Sequence, residues 1–272
     1  MRFTVLGANG FIGSNLVKYL QKDGIECFSP DVRKENILQK SLGHVIYSIG
    51  ISNFVEWPYD AVDAHVCVLR KLLEHGRFDS LLYLSSGRIY YNASSTKEEA
   101  AITVNPLHLN DLYNISKVMG ESMCIASKKD NVKIVRPSNV TGSNFSSELF
   151  IPSILRDAVD KQKIILHSTL NSEKDYVYID DVVSLLPKIA LNGKDKVYNI
   201  AYGKNIKNKE IVEEISRFTN CKIDIVNPSK YSFPQISIER IQSEFNFKPI
   251  SIISKIELMV KEYMKSKNQK ID

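Results

Sequence analysis

The segment Arg2-Phe3-Thr4-Val5-Leu6-Gly7-Ala8-Asn9-Gly10-Phe11-Ile12-Gly13 decides the fold of this chain. Five residues of strand character run into a GxxGxxG bend. A helical pattern over 11–23 starts inside that bend, with Ile12, Leu16 and Leu20 on one face and Gly24 as its stop. The chain must turn sharply here and bring backbone N–H groups close to a ligand, and a Cβ at Gly7 or Gly10 would obstruct both. Gly13 lets the helix pack tightly on the strand. The helix start then offers oriented donors and partial positive charge to a pyrophosphate. A tight turn without ligand is the plain alternative, but strand before and helix after are the context that a dinucleotide site requires. Gly7, Asn9, Gly10, Phe11, Ile12 and Gly13 are therefore cofactor-binding candidates.

Outward from the bend, apolar runs of strand length at 26–29, 44–49, 80–85 and 132–135 alternate with helical patterns at 60–75 and 111–128. That alternation predicts βαβ units and an α/β fold, a Rossmann-type doubly wound parallel sheet with a smaller C-terminal substrate-binding part. After Gly142 the pattern loosens. Helical stretches at 149–161, 181–192 and 208–218 mix with short strands at 164–167, 176–179, 197–200 and 222–226. The expected division is 1–142 with about 176–200 for the dinucleotide-binding domain, and about 143–175 with 201–272 for the substrate part.

About 18 residues beyond Gly13, Asp31 stands where a carboxylate would take the adenosine ribose hydroxyls, which favours NAD. Arg33 nearby would suit the 2′-phosphate of NADP, so both cofactors stay open. The stretch between Asp31 and the strand at His44 is too short for another βα unit, which leaves a loop role for Asp31.

The rest of the composition narrows the class. A chain of 272 residues with 43% hydrophobic and 25% charged content is an ordinary globular protein. Its net charge of +5 is modest, and the densest basic run, Lys261 to Lys270, reads as a solvated tail rather than a nucleic-acid arm. The four cysteines form no CxxC pair, and the five histidines show no ligand spacing, so no metal or disulfide framework is expected. No apolar stretch is long enough to span a membrane, and the first residues lack a signal-peptide core. A cytoplasmic protein is expected.

Tyr113-Asn114-Ile115-Ser116-Lys117 is YxxxK on a predicted helix. The i, i+4 spacing puts phenol and ammonium on one face, within about 6 Å at Cβ. A free tyrosine titrates too high for proton transfer at neutral pH, and a neighbouring lysine is expected to lower it. The same spacing recurs at Tyr263 and Lys267, which read as surface helix. Only Tyr113 has hydroxyls upstream at the carboxyl end of a strand, Ser85 and Ser86, where ligands bind in open α/β sheets. Turn chemistry explains one of these two serines equally well.

Five segments together, GANGFIG (7–13), SSGRIYY (85–91), YNISK (113–117), RPSNVTG (136–142) and KDYVYIDDV (174–182), resemble the extended short-chain dehydrogenases. The likeness is to the NAD-dependent epimerase/dehydratase family, and Phe247-Lys248-Pro249 extends it to about residue 265. It implies that Ser86 bonds the reacting sugar oxygen, that Tyr113 is the general acid/base, and that Lys117 also holds the nicotinamide ribose. It further implies Ile49, Gly50, Ser85 and Pro137 along the cofactor, and Asn139 and Lys174 toward the substrate's phosphates. For Pro137 and Asn139, a strand end and a turn are the plain readings.

The sequence departs from the family's pattern at Gly87, Tyr91, Lys174 and Tyr178. Lys174 keeps the charge of the family's arginine without its bidentate fork. Asp180-Asp181 suggests a helix cap in preference to a metal site.

The resemblance implies an NAD(P)-dependent nucleotide-sugar epimerase, with a Ser86/Tyr113/Lys117 triad and transient hydride transfer to the nicotinamide. A reductase of a nucleotide 4-keto-6-deoxy sugar and a non-catalytic dinucleotide-sensing protein are the alternatives. The partners expected are a sugar nucleotide and a second copy of the chain in a homodimer through the helices at 60–75 and 111–128, with no nucleic acid or membrane. Val66, Leu69, Leu72, Leu73, Val118, Met119 and Met123 on those helices suit core packing equally well.

Overall fold

A computed structural model of the protein describes residues 1–268. Strand β1 (Arg2–Leu6) is followed by helix α1 (Phe11–Lys22), β2 (Glu26–Phe28) and β3 (His44–Tyr47). Two short helices, α2 (Pro58–Val62) and α3 (Val68–His75), come next, joined by a π-helical turn at Asp63–Cys67. Then come β4 (Ser80–Leu84), a 3₁₀ turn at Gly87–Tyr90, α4 (Asp111–Ala126) and β5 (Val132–Pro137). With β9 (Val197–Ile200), these strands form a six-stranded sheet in the order β2-β1-β3-β4-β5-β9, every pair parallel. All five residues of β4 are buried, because parallel strands are covered by helices on both faces. The predicted Rossmann-type sheet is present.

The chain leaves β1 for β2 on one side and returns to β3 on the other. The carboxyl ends of β1 and β3 therefore flank the switch point where such sheets open a crevice. The glycine bend and Ser48–Gly50 stand at that point. One apolar cluster, including Phe3, Leu16, Ile46, Val135 and Val182, fills one face. A second, including Leu6, Val45, Leu69, Leu72 and Cys124, fills the other.

Beyond β5 lie β6 (Asn139–Thr141), α5 (Phe150–Asp160), β7 (Lys163–Ser168), β8 (Glu173–Tyr178), α6 (Ile179–Asn192) and, after β9, β10 (Asn205–Lys207). α7 (Asn208–Thr219), β11 (Lys222–Ser229), α8 (Glu239–Phe245) and α9 (Ile256–Asn268) complete the described chain. β8 pairs with β6 and β10 in a three-stranded sheet, and β7 pairs with β11. Residues 139–141 and 176–178 thus belong to the small sheet, although the sequence division places them with the dinucleotide-binding part. β6 and β10 are three-residue strands, too short for periodicity to reveal. The helix expected over 60–75 carries a π turn instead of running unbroken.

Three sequence expectations are corrected. Tyr263 is buried rather than on a surface helix: its ring lies 5.1 Å from that of Phe145, and its hydroxyl donates to Asp160 Oδ2 at 2.6 Å. Lys267 Nζ stands 3.1 Å from the other oxygen of the same carboxylate. The basic run is therefore helical and tied down as far as it is described, with Lys270 outside the described residues. Third, α6 is N-capped by Tyr178 without a side-chain bond, so the Asp180-Asp181 pair is not its cap. Instead Asp181 accepts the Ile250 N–H at 2.7 Å and pins the late segment of the chain.

All four cysteines are free. Among the described residues, no helix is long and apolar enough to cross a membrane. Leu69, Leu72 and Leu73 are buried within the chain, Val66, Val118 and Met123 are half-buried, and Met119 is exposed.

Candidate active site

Gly7 has φ +92°, a conformation open to glycine, and a Cβ there would stand 2.7 Å from the Ser48 carbonyl carbon. A Cβ on Gly13 would collide with the Gly7 carbonyl oxygen. The bend closes through Gly10 N–H to Gly7 O at 3.0 Å. No side chain caps α1, and its first turn holds no acidic residue, so its leading N–H groups stay available to an anion. Asn9 and Gly10 are exposed at the lip, with Phe11 and Ile12 half-buried. Nearby, Ser85 carries a buried hydroxyl oxygen with no partner. A backbone cradle that excludes side chains, an uncapped helix start and an orphaned hydroxyl fit a dinucleotide.

Asp31 and Arg33, both cofactor candidates, are paired with one another. The Asp31 carboxylate accepts the Arg33 backbone N–H at 3.0 Å and Arg33 Nε at 3.3 Å, with Lys34 Nζ at 3.8 Å. The Arg33 N–H holds the carboxyl below its ordinary range. The two residues compete for one another, and their pairing makes Asp31 a turn residue in this structure.

α4 carries Tyr113 and Lys117 toward the carboxyl end of β4, where Ser86 opens the 3₁₀ turn. Lys117 is buried and donates to the Leu84 carbonyl oxygen at 2.9 Å. Burial lowers its pKa to about 7, against a raising influence from Glu121. Lys117 Nζ stands 5.9 Å from the centre of the Tyr113 ring. The expected acidification of the phenol by Lys117 is not what this arrangement gives. Burial raises the Tyr113 pKa, while hydrogen bonding from Ser86 and the Arg88 guanidinium act to lower it. Desolvation outweighs these two because it penalises the phenolate directly.

Two residues that the sequence reading passed over are part of this site. Arg88 lies over the rings of Phe54 and Tyr113, at 5.0 and 5.5 Å from their centroids. Its signal was present, since it sits inside the SSGRIYY segment. His65 is fully buried in the π-helical turn, edge-on to Tyr113 with ring centroids 5.3 Å apart. Its Nδ1 lies 2.8 Å from Ser116 Oγ, and Ser116 Oγ bonds the Tyr113 carbonyl at 2.9 Å. Burial, with help from Lys117, lowers the His65 pKa to about 3, so the ring is neutral at working pH. No local pattern marks this histidine, because only the π turn aims it inward.

A cavity of about 630 Å³ opens beside Ser86, in the size range of small-molecule sites. Asn139 and Lys174 also line it, and Asn139 Nδ2 donates to the Asp175 carbonyl at 2.7 Å. Lys174 Nζ lies 4.5 Å from the centre of the Tyr231 ring, and burial, then repulsion from Arg88, lowers its pKa. Tyr91 stacks on Phe233 at 5.8 Å across the wall, and Ile236 fills the space beside Gly87. The carboxylate among the lining residues is Asp111, whose oxygens are occupied by the Asn105 N–H at 2.8 Å and Asn114 Nδ2 at 2.9 Å.

Within the RPSNVTG segment, Arg136 has a structural role. Arg136 forms a buried fork with Glu121, at 2.9 and 2.6 Å, and reaches Tyr90 Oη and the Glu98 carbonyl. Pro137 is buried at the end of β5, and Gly50 lies close to His65 and Lys117. Ile49 is half-buried at the crevice floor.

The chain belongs to the NAD dependent epimerase/dehydratase family, whose profile matches residues 3–201. It is 27% identical over 203 residues to dTDP-4-dehydro-6-deoxyglucose reductase of Escherichia coli, covering 71% of this chain and 63% of that protein. It thus spans less than two thirds of that relative's length. It is 26% identical over 259 residues to GDP-L-fucose synthase of Sinorhizobium fredii, covering 83% of this chain and 82% of the relative. The fold matches MoeE5 in complex with UDP-glucose and NAD at TM-score 0.83 and 18% identity, covering 98% and 99% of the two chains. It also matches RMD from Pseudomonas aeruginosa complexed with NADPH, at TM-score 0.79 and 21% identity, covering 96% and 98%.

Proposed function

We propose that this protein is an NAD(P)-dependent nucleotide-sugar epimerase in which Ser86, Tyr113 and Lys117 act together. The observation that carries the reading is the meeting of the three residues at the carboxyl end of β4. The glycine bend lies on one side of them and the cavity with Lys174 on the other. The nicotinamide, when bound, supplies a hydride acceptor and donor. Ser86 orients the reacting sugar hydroxyl, and Tyr113 holds or takes its proton. Lys117, freed from the Leu84 carbonyl, holds a ribose hydroxyl of the cofactor. The first-turn N–H groups of α1 hold its diphosphate, and Asn139 and Lys174 bind the substrate's phosphates.

A second reading, reduction of a nucleotide 4-keto-6-deoxy sugar, is favoured by the raised Tyr113 pKa, which keeps the phenol ready to protonate a carbonyl oxygen. The name of the E. coli relative points the same way. The experiment is native mass spectrometry to identify a retained dinucleotide, followed by incubation with UDP-, GDP-, dTDP- and CDP-sugars. Interconversion of two sugar nucleotides without net redox is expected. Stoichiometric NADPH oxidation by a keto-sugar would replace epimerisation with reduction, and no turnover with a dinucleotide bound would favour a sensing protein. A cytoplasmic homodimer completes the proposal, and light scattering of the purified protein tests the dimer.

A further inference from the structure

Arg88 lies over the Tyr113 ring, and no side chain of the triad forms a hydrogen bond or ion pair with its guanidinium. It is exposed in the cavity wall, and no carboxylate lies within ion-pair distance of it among the described residues. Of its five N–H donors, one makes a long contact, Nη2 to the Asn110 carbonyl at 3.5 Å. Its guanidinium is nonetheless positioned, because the rings of Phe54 and Tyr113, 5.3 Å apart, support it. With Cζ over those rings and its other N–H donors unpartnered among the described residues, the guanidinium can take a planar carboxylate by two parallel hydrogen bonds.

We infer that Arg88 recognises a carboxylate on the sugar itself, so that the substrate is a nucleotide sugar whose hexose carries an acid group next to the reacting carbon. This deepens the nucleotide-sugar reading above and rests on it. Tyr113 and Ser86 fix where the reacting carbon lies, and Arg88 is two residues from Ser86 with its Cζ 5.5 Å from the centre of the Tyr113 ring. A group that it grips is therefore attached at or beside that carbon. Lys174 and Asn139, which line the same cavity, take the diphosphate in that reading, and titration with the bare diphosphates separates that group from a carboxylate as the partner of Arg88. Ring hydroxyls alone would leave the guanidinium's charge unanswered, whereas a carboxylate matches its charge and its fork together.

The test is calorimetric titration of the dinucleotide-loaded protein with two series of probes: UDP, UDP-glucose and UDP-glucuronic acid, then GDP, GDP-mannose and GDP-mannuronic acid. In at least one series the acid should bind about tenfold or more tighter than the hexose, as a charge-assisted bidentate contact gives. Arg88→Met should bring that ratio to about one, and Arg88→Lys, which keeps the charge without the fork, should leave it in between. Equal binding of hexose and acid by the native protein, or a ratio that survives Arg88→Met, overturns the inference and leaves the nucleotide-sugar reading intact. So does an Arg88→Met loss shared equally by UDP or GDP alone, which would place the guanidinium on the diphosphate. Sugar nucleotides that bind no better than the bare diphosphates would sink both.

Discussion

Lys117 donates its amine to the Leu84 carbonyl oxygen at 2.9 Å, and its Nζ stands 5.9 Å from the centre of the Tyr113 ring. The helical spacing of the two residues puts them on one face of α4, but the sheet decides what the ammonium touches.

That burial has a pH signature in stability. The Lys117 pKa falls from 10.5 to about 7 in the fold. Between those values the unfolded chain binds the extra proton, so native stability rises with pH; below about 7 both states are protonated and the fold carries the full cost of a buried charge. Lys117→Met removes that cost. The Tm of the variant, relative to native, should be highest below pH 7 and should converge on native toward pH 10. A gap that stays constant or widens across scanning calorimetry runs would contradict the assignment.

The phenol's own titration should answer to Arg88. Burial raises the Tyr113 pKa, and Ser86 and Arg88 lower it. In a direction where Tyr113 must accept a proton, the acid limb of kcat/KM reports that group. Arg88→Met removes a lowering influence, so the limb should move to higher pH, while Tyr113→Phe should cost about 10²–10⁴ in kcat. A pH–rate profile with an unmoved limb would show that the guanidinium does not act on the phenol.

Gly13→Ala should damage the cofactor cradle. Its Cβ would meet the Gly7 carbonyl oxygen, a backbone atom that cannot step aside without opening the bend. Overpacking of this kind costs about 1–3 kcal/mol. The variant should melt early and lose the dinucleotide, as read by urea unfolding and by mass spectrometry of the native protein. Retention of the cofactor at native stability would contradict the close packing described.

The Arg136–Glu121 fork is buried at both ends, with side-chain exposures of 6% and 10%. Glu121→Ala would leave a guanidinium in the core with Tyr90 and the Glu98 carbonyl alone, at a cost of about 3–5 kcal/mol. Denaturant midpoints would reveal it. A loss under about 1 kcal/mol would mean that water reaches Arg136.

The glycine bend, the alternation of strand and helix and the Tyr113–Lys117 spacing were legible because they are local. Steric limits on φ, hydrophobic period and helical pitch act within a few residues. The GxxGxxG context therefore located the crevice, and Ser86 and Tyr113 were found on its edge. The neighbouring motif segment also contained Arg88, but its role was invisible without the rings of Phe54 and Tyr113 beneath it.

Taken alone, the chain of letters determined the sheet type, the glycine bend and the helix that carries Tyr113 and Lys117 on one face. Only the tertiary structure decided the electrostatics: Asp31 turned onto Arg33, Lys117 onto Leu84, His65 was aimed inward by a π turn, and Tyr263 was drawn into the core. The physical reason is one of range. Backbone sterics and periodicity belong to neighbours in sequence, whereas desolvation and charge pairing depend on which distant segments packing brings together.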